Sequence, residues 1–135
     1  KRNNNFNLSY NQLFIKLIKN LNRKKLTELL DEGKPIDEIV LFVKNEDVLT
    51  SQYDLRETWF NHFGYNLMNQ GKKEEALKIF KLNTELYPNS SNTFDSYGEC
   101  LLKIGDKENA IIAYKKSLEL NPKNQNAEKV LSELE

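Results

Sequence analysis

One pattern occurs twice in this chain, without a gap, at an offset of 34 residues. Phe60 pairs with Phe94, Phe63 with Tyr97, Gly64 with Gly98, Leu67 with Leu101 and Gly71 with Gly105. Ala76 pairs with Ala110, Phe80 with Tyr114, Leu86 with Leu120 and Pro88 with Pro122. A self-match at this period is the mark of a stacked repeat, in which each unit buries its apolar face only against its neighbours. In the first copy Phe60, Phe63, Gly64, Leu67, Ala76, Phe80 and Pro88 cannot perform acid–base or nucleophilic chemistry, so the spacing serves packing.

Each unit reads as two helices. In the second copy Phe94, Tyr97, Leu101 and Leu102 recur at helical spacing until "KIGDKENA" interrupts them. Gly105 supplies the left-handed residue that closes a helix, and Asp106 is placed to cap the next one. Ala110, Ile111, Tyr114 and Leu118 form the apolar stripe of that second helix, which Asn121-Pro122 ends. Gly64 with Ala76, and Gly98 with Ala110, are expected where the helices of a pair approach most closely. Phe80 and Tyr114 are expected to fill the grooves beside them.

The pattern Phe60-x-x-Phe63-Gly64-x-x-Leu67…Ala76-x-x-x-Phe80…Pro88, with its copy from Phe94 to Pro122, resembles the tetratricopeptide repeat. The resemblance spans about half the chain. It implies an all-α fold: an α-solenoid of antiparallel helix pairs wound as a right-handed superhelix, with a C-terminal capping helix. Phe60 and Phe94 stand where tryptophan is usual. Asn83 and Ser117 stand where alanine is common, so the packing expected around them is less sharply defined, with the fold unchanged.

The expected organisation within one structural domain is a diverged helix pair and connector at 1–56, repeats at 57–90 and 91–124, and a cap at 125–135. The cap presents Ala127, Val130, Leu131 and Leu134 on one face. Upstream, Leu13, Phe14, Leu17, Ile18 and Leu21 form an amphipathic stripe that Leu26, Leu29 and Leu30 extend, until Gly33 breaks it. Pro35 suits the first turn of the next helix, whose buried face is Ile36, Ile39, Val40 and Val43. The run Ile39–Val43 also reads as a short strand, but no partner strand is evident. "NEDVLTSQYD" is the connector, with Tyr53 or Leu55 packing at the junction.

The stretch from Gly33 to Phe80, with Tyr53-Asp54 followed by Phe63-Gly64-Tyr65-Asn66-Leu67, is also similar to the helical tail of some bacterial serine hydrolases of the β-lactamase-like and esterase type. That resemblance implies an accessory domain packing on its own catalytic domain, which lies outside this chain, or on a second copy. The chain does not begin with methionine, so a fragment or processed product is expected.

Twenty Lys and Arg balance 20 Asp and Glu, so the overall charge gives no argument for nucleic acid or an anionic membrane. No apolar run approaches the ~18–20 residues of a membrane span. The start, "KRNNNFNLSYNQ", is basic but lacks the apolar core of a signal peptide. The compartment, cytoplasmic or periplasmic, is left open, since one cysteine cannot close a disulfide within the chain.

No catalytic, metal or cofactor site is legible. No serine stands in Ser-x-x-Lys or Gly-x-Ser-x-Gly. His62 is the sole histidine and has no cysteine or histidine at ligand spacing, which favours a solvent-facing or edge role. Cys100 lies on an apolar helix face, where a buried thiol is expected unless Lys103 activates it. Asp31-Glu32, Asp37-Glu38 and Glu46-Asp47 lack the alternation of a calcium loop. The basic run Asn22–Lys25 has no interleaved aromatics, and glycine-rich phosphate loops are absent.

The tetratricopeptide resemblance implies a binding surface. The first helices of successive pairs would line a concave groove, placing Thr58, Asn61, Tyr65 and Met68 on its wall. Asn92, Asp95, Glu99 and Leu102 would follow, then Asn126 from the cap. The positions at which the family grips a C-terminal carboxylate here hold Asn61, Tyr65, Ser96, Asn126 and Val130, so the cations of that grip are missing. Asp95 and Glu99 would repel a carboxylate. A non-catalytic module that binds neutral or basic proteins or peptides is therefore expected, with Tyr65 as an aromatic anchor.

Overall fold

The computed structural model describes residues 9–135. Among them are eight helices and no strand. They are α1 (Tyr10–Leu21), α2 (Thr27–Asp31), α3 (Ile36–Lys44) and α4 (Glu57–Asn69), then α5 (Lys73–Leu86), α6 (Ser91–Ile104), α7 (Lys107–Leu120) and α8 (Gln125–Leu134). None is long and apolar enough to cross a membrane.

The helices from α4 onward pack in series. α4 lies on α5, α5 on α6, α6 on α7 and α7 on α8, while α4 also touches α6. The buried core follows that order, from Phe60, Phe63, Leu67, Ile79 and Phe80, through Leu101, Ala110 and Ala113, to Tyr114, Ala127 and Leu131. Partly buried Leu77, Tyr97 and Leu102 join these clusters into one seam. α8 covers the far end with Ala127 and Leu131.

The glycines show what sets the pair geometry. A methyl group placed on Gly64 would lie 2.5 Å from Cζ of Phe80, and one on Gly98 would lie 2.8 Å from Cε2 of Tyr114. The groups pressed against the glycines are thus the aromatic rings. The Phe80 ring, expected to fill the groove beside Gly64 and Ala76, lies directly over Gly64: all three atoms nearest the added methyl belong to it. Ala76 and Ala110 are nevertheless fully buried.

Helix ends differ between the copies. Gly105 closes α6 at φ 90°, and Oδ1 of Asp106 accepts the Asn109 N–H at 3.1 Å to cap α7. Lys72 holds the position equivalent to Asp106, and α5 starts without a side-chain cap.

Asn83 and Ser117 each add a hydrogen bond within their unit, while Oδ1 of Asn83 is buried without a partner among the described residues. Both are buried on the second helix of a pair and bond to the start of the first. Asn83 Nδ2 donates to the Glu57 carbonyl at 3.2 Å, and Ser117 Oγ donates to the Ser91 carbonyl at 2.9 Å. Both ends of the second bond lie 34 residues beyond those of the first. A polar staple is therefore part of the repeat.

The N-terminal segment departs from the expected long helix. α1 stops at Leu21, and Leu26, Leu29 and Leu30 belong to the α2 region. The cause is a parallel bridge between Lys24 and Tyr53: Lys24 N–H donates to the Gln52 carbonyl, and Asp54 N–H donates to the Lys24 carbonyl, both at 2.8 Å. Backbone committed to that pairing cannot continue a helix. Arg23 reinforces it by donating to the carbonyls of Val48 and Leu49. Leu13, Phe14 and Leu17 consequently stand exposed, while the side chains of Ile18 and Leu21 lie outside the described residues.

α3 resolves the ambiguity at Ile39–Val43 as helix and buries Ile36, Ile39 and Val43. Pro35 precedes it in an extended conformation, one residue earlier than expected. α3 packs on α5, flanked by the ion pairs Asp37–Lys78 and Lys44–Glu85. Leu55 is fully buried in the connector, and Tyr53 meets Phe42 edge-on at 5.4 Å.

Candidate concave binding face

Polar side chains of α4, α6 and the α8 start meet in one ladder. Asn61 Oδ1 accepts from Ser96 Oγ at 2.7 Å. Tyr65 Oη donates to Glu99 Oε2 at 2.6 Å and approaches Ser96 Oγ at 3.4 Å. Asp95 accepts from Asn124 Nδ2 at 2.7 Å and from Asn126 Nδ2 at 2.9 Å. Seven residues, six on three helices and the seventh a helix cap, take part in these bonds.

Tyr65 is half-buried and stands edge-on to Phe80, with ring centres 5.1 Å apart. Burial, with the Glu99 bond behind it, pushes its hydroxyl up to about 12, so it stays a donor at any physiological pH. The carboxylate it holds also pairs with Lys103 at 3.6 Å, four residues along the same helix.

Thr58 and Asn92 are exposed, and Leu102 is partly buried between the Leu101 and Tyr114 clusters. Met68 differs from the expectation of a wall residue: it sits in the core at 8 % exposure and offers little surface to a ligand. Ser96, at one of the carboxylate-grip positions, joins the wall, and so does Asn124, which the expected wall lacks. Asn124 carries most weight of the two, because its side chain caps α8 through Ala127 N–H while Nδ2 binds Asp95 and Ser117 Oγ. The sequence signal was an asparagine two residues after Pro122 and ahead of an apolar stripe, a usual helix cap.

Thr58 also lines a cavity of about 420 Å³ with Lys25, Thr27, Arg56, Trp59, His62, Phe63 and Asn66. His62 is exposed there. Arg56 is already committed, gripping Asp54 through Nε–Oδ1 at 2.9 Å and Nη2–Oδ2 at 2.7 Å. That bond holds the Asp54 carboxyl below its ordinary value.

Cys100 is fully buried. Burial, aided by Glu74 and Glu99, pushes the thiol up to about 11, and Lys103 offsets this only slightly. It is protonated at neutral pH, which answers the question of activation by Lys103. Among the described residues no three His, Cys, Asp or Glu side chains group as a metal site.

A series of antiparallel helix pairs with ring-on-glycine contacts, closed by a terminal helix, is a helical repeat array. Residues 93–124 match the family model described as tetratricopeptide repeat. The first tetratricopeptide domain of Spaghetti (RPAP3), solved with the HSP90 peptide SRMEEVD, is 18 % identical with a TM-score of 0.56. That match covers 88 % of this chain and 89 % of the other. PcrH, solved with the chaperone binding region of PopD, is 17 % identical with a TM-score of 0.49, covering 94 % of this chain and 88 % of the other. No curated protein sequence matches the chain. The chain thus carries a recognised tetratricopeptide repeat at 93–124 and has the all-α fold of such arrays.

Proposed function

We infer that this chain is a non-catalytic interaction module whose concave face takes a neutral or basic peptide segment of a partner protein. The wall runs over Thr58, Asn61, Tyr65, Asn92, Asp95, Glu99, Leu102 and Asn126. The observation that carries this reading is the pair of carboxylates, Asp95 and Glu99, held in place by Asn124, Asn126 and Tyr65. Carboxylates ordered before binding lose little side-chain entropy when a cation arrives. They also disfavour an acidic ligand through like-charge repulsion. The tetratricopeptide domain of Spaghetti was solved with SRMEEVD, a peptide with an acidic end. The wall described here has the opposite preference.

The test is a titration of the chain with matched basic, neutral and acidic peptides. Basic peptides are expected to bind tightest, weakening with salt because the pairing is exposed. Asp95→Asn and Glu99→Gln are each expected to lower that affinity roughly two- to fivefold, the range for an exposed ion pair. Preference for the acidic peptide, or basic binding indifferent to both substitutions, would overturn the reading.

A further inference from the structure

The neutral total conceals a segregation of charge. The first 27 residues hold seven of the 20 Lys and Arg and none of the 20 Asp and Glu. The remaining chain is left with 13 cations against 20 acids. Five of the seven cations, Lys16, Lys19, Arg23, Lys24 and Lys25, lie within or directly after α1.

Exposed apolar side chains gather at the same end. Tyr10, Leu13, Phe14 and Leu17 recur at the spacing of one helix face and are 92, 44, 62 and 59 % exposed. Ile15 is exposed on the far side of the helix, and Leu41 of α3 and Leu49, whose carbonyl Arg23 holds just beyond α1, are exposed as well. From residue 50 onward, Ile112 is the one large hydrophobic found exposed among the described residues.

We propose that α1 is a reversible anchor that lays the Tyr10–Leu13–Phe14–Leu17 face into the surface of an anionic lipid bilayer. An interfacial helix needs an apolar face to enter the headgroup boundary and cations to meet the lipid charge. This segment supplies both, with no acid to oppose them. At 12 residues it is too short to span.

A second copy fits less well. The acidic wall of the array would attract the cations, but it offers Asn61, Asn92, Asp95, Glu99 and Asn126 to the apolar face. Pairing two α1 helices would cover apolar surface while bringing two strongly basic segments together. The cavity beside Trp59 and Phe63 has apolar walls, but Lys25 and Arg56 also line it. Of these occupants, an anionic bilayer surface is the one that combines apolar depth with negative charge.

The test is flotation of the chain with vesicles of phosphatidylcholine, with and without phosphatidylglycerol, alongside light scattering for its mass. Binding is expected to the phosphatidylglycerol vesicles only, to weaken with salt, and to drop roughly tenfold or more in Leu13→Gln/Phe14→Gln, which removes two apolar insertions. Because both positions are exposed, that variant should keep the parent's helical circular dichroism and melting temperature. No binding to anionic vesicles, or binding unchanged in the variant, would overturn the proposal. So would a dimer that the variant dissociates without any vesicle binding, which would assign the face to a second copy.

Discussion

The contact that fixes the first helix pair can be tested by adding one carbon, Gly64→Ala. The new methyl would lie 2.5, 2.6 and 2.8 Å from Cζ, Cε1 and Cε2 of Phe80, whereas carbons attract optimally at about 3.5–4.0 Å. Phe80 is fully buried and pinned edge-on by Tyr65, so its ring cannot swing aside. α4 and α5 must separate instead, by about 1 Å if contact is to become ordinary. Overpacking of this kind costs about 1–3 kcal/mol. Against it stands the gain of about 1 kcal/mol when alanine replaces glycine inside a helix. With the overlap at the severe end, a net loss of about 1–2 kcal/mol is expected. Gly98→Ala should cost less, because its closest approach to Tyr114 is 2.8 Å. Urea unfolding followed by far-ultraviolet circular dichroism gives both values, with unchanged m confirming the comparison. Phe80→Leu removes the ring atoms that clash. The double variant Gly64→Ala/Phe80→Leu should therefore be more stable than the sum of the singles by about 1 kcal/mol. If Gly64→Ala is as stable as the parent, or the two changes simply add, the ring-on-glycine account is wrong.

Ser117→Ala restores the residue common in such repeats but deletes the donor to the Ser91 carbonyl and the acceptor for Asn124. A loss of about 1–2 kcal/mol in urea unfolding is expected, and a gain would refute the staple. Asp106→Ala should lose the cap and so stability, whereas Lys72→Asp, at the equivalent uncapped start of α5, should gain stability by the same measurement. Stability should also fall at alkaline pH. Burial raises Cys100 to about 11 from 9.0 and Tyr65 to about 12 from 10.0, and it raises Tyr114 as well. Their contribution is complete below the unfolded values and is lost as pH rises through the folded ones, because the unfolded chain ionises first. Melting temperatures should therefore decline from about pH 9 upward, and a profile that stays flat as far as about pH 11 would refute the burial of these groups.

What could be read in advance was whatever a residue type dictates locally. The left-handed Gly105, the Asp106 cap and the stop at Asn121-Pro122 depend on local backbone preference, and each falls where its residue type dictates. That the Phe80 ring lies directly over Gly64, and not only beside it, was not legible, because a glycine announces a close approach without naming the atoms that approach. Met68 was misplaced for a related reason: helical periodicity locates a face but not where wall gives way to core. At the N-terminus, the pattern through Leu30 continued at helical spacing, yet a backbone bridge from Lys24 to Tyr53, 29 residues away, overrode it. Pairing at that separation leaves no periodic trace. On the concave face the charges of Asp95 and Glu99 were evident, but their clamps came from Asn124 and Tyr65, whose roles depend on how neighbouring units stack.

Those clamps bear on how an array this short holds its register. Apolar packing alone would tolerate small slides of one pair along the next, since leucine and alanine surfaces have no directional preference. Hydrogen bonds do not tolerate them. Tyr65–Glu99 and Asn61–Ser96 join the first helices of successive pairs, and Ser90 Oγ donates to Glu57 across the same junction. At the next junction Asn124 joins Ser91, Asp95 and Ser117. The Ser90–Glu57 and Asn124–Ser91 contacts are 34 residues apart at both ends, so the stacking interface is repeated just as the helix pair is. Stacking order and groove geometry therefore depend on the same side chains. A substitution that loosens the ladder should be felt twice, as lost cooperativity between units and as a groove whose carboxylates no longer hold their positions.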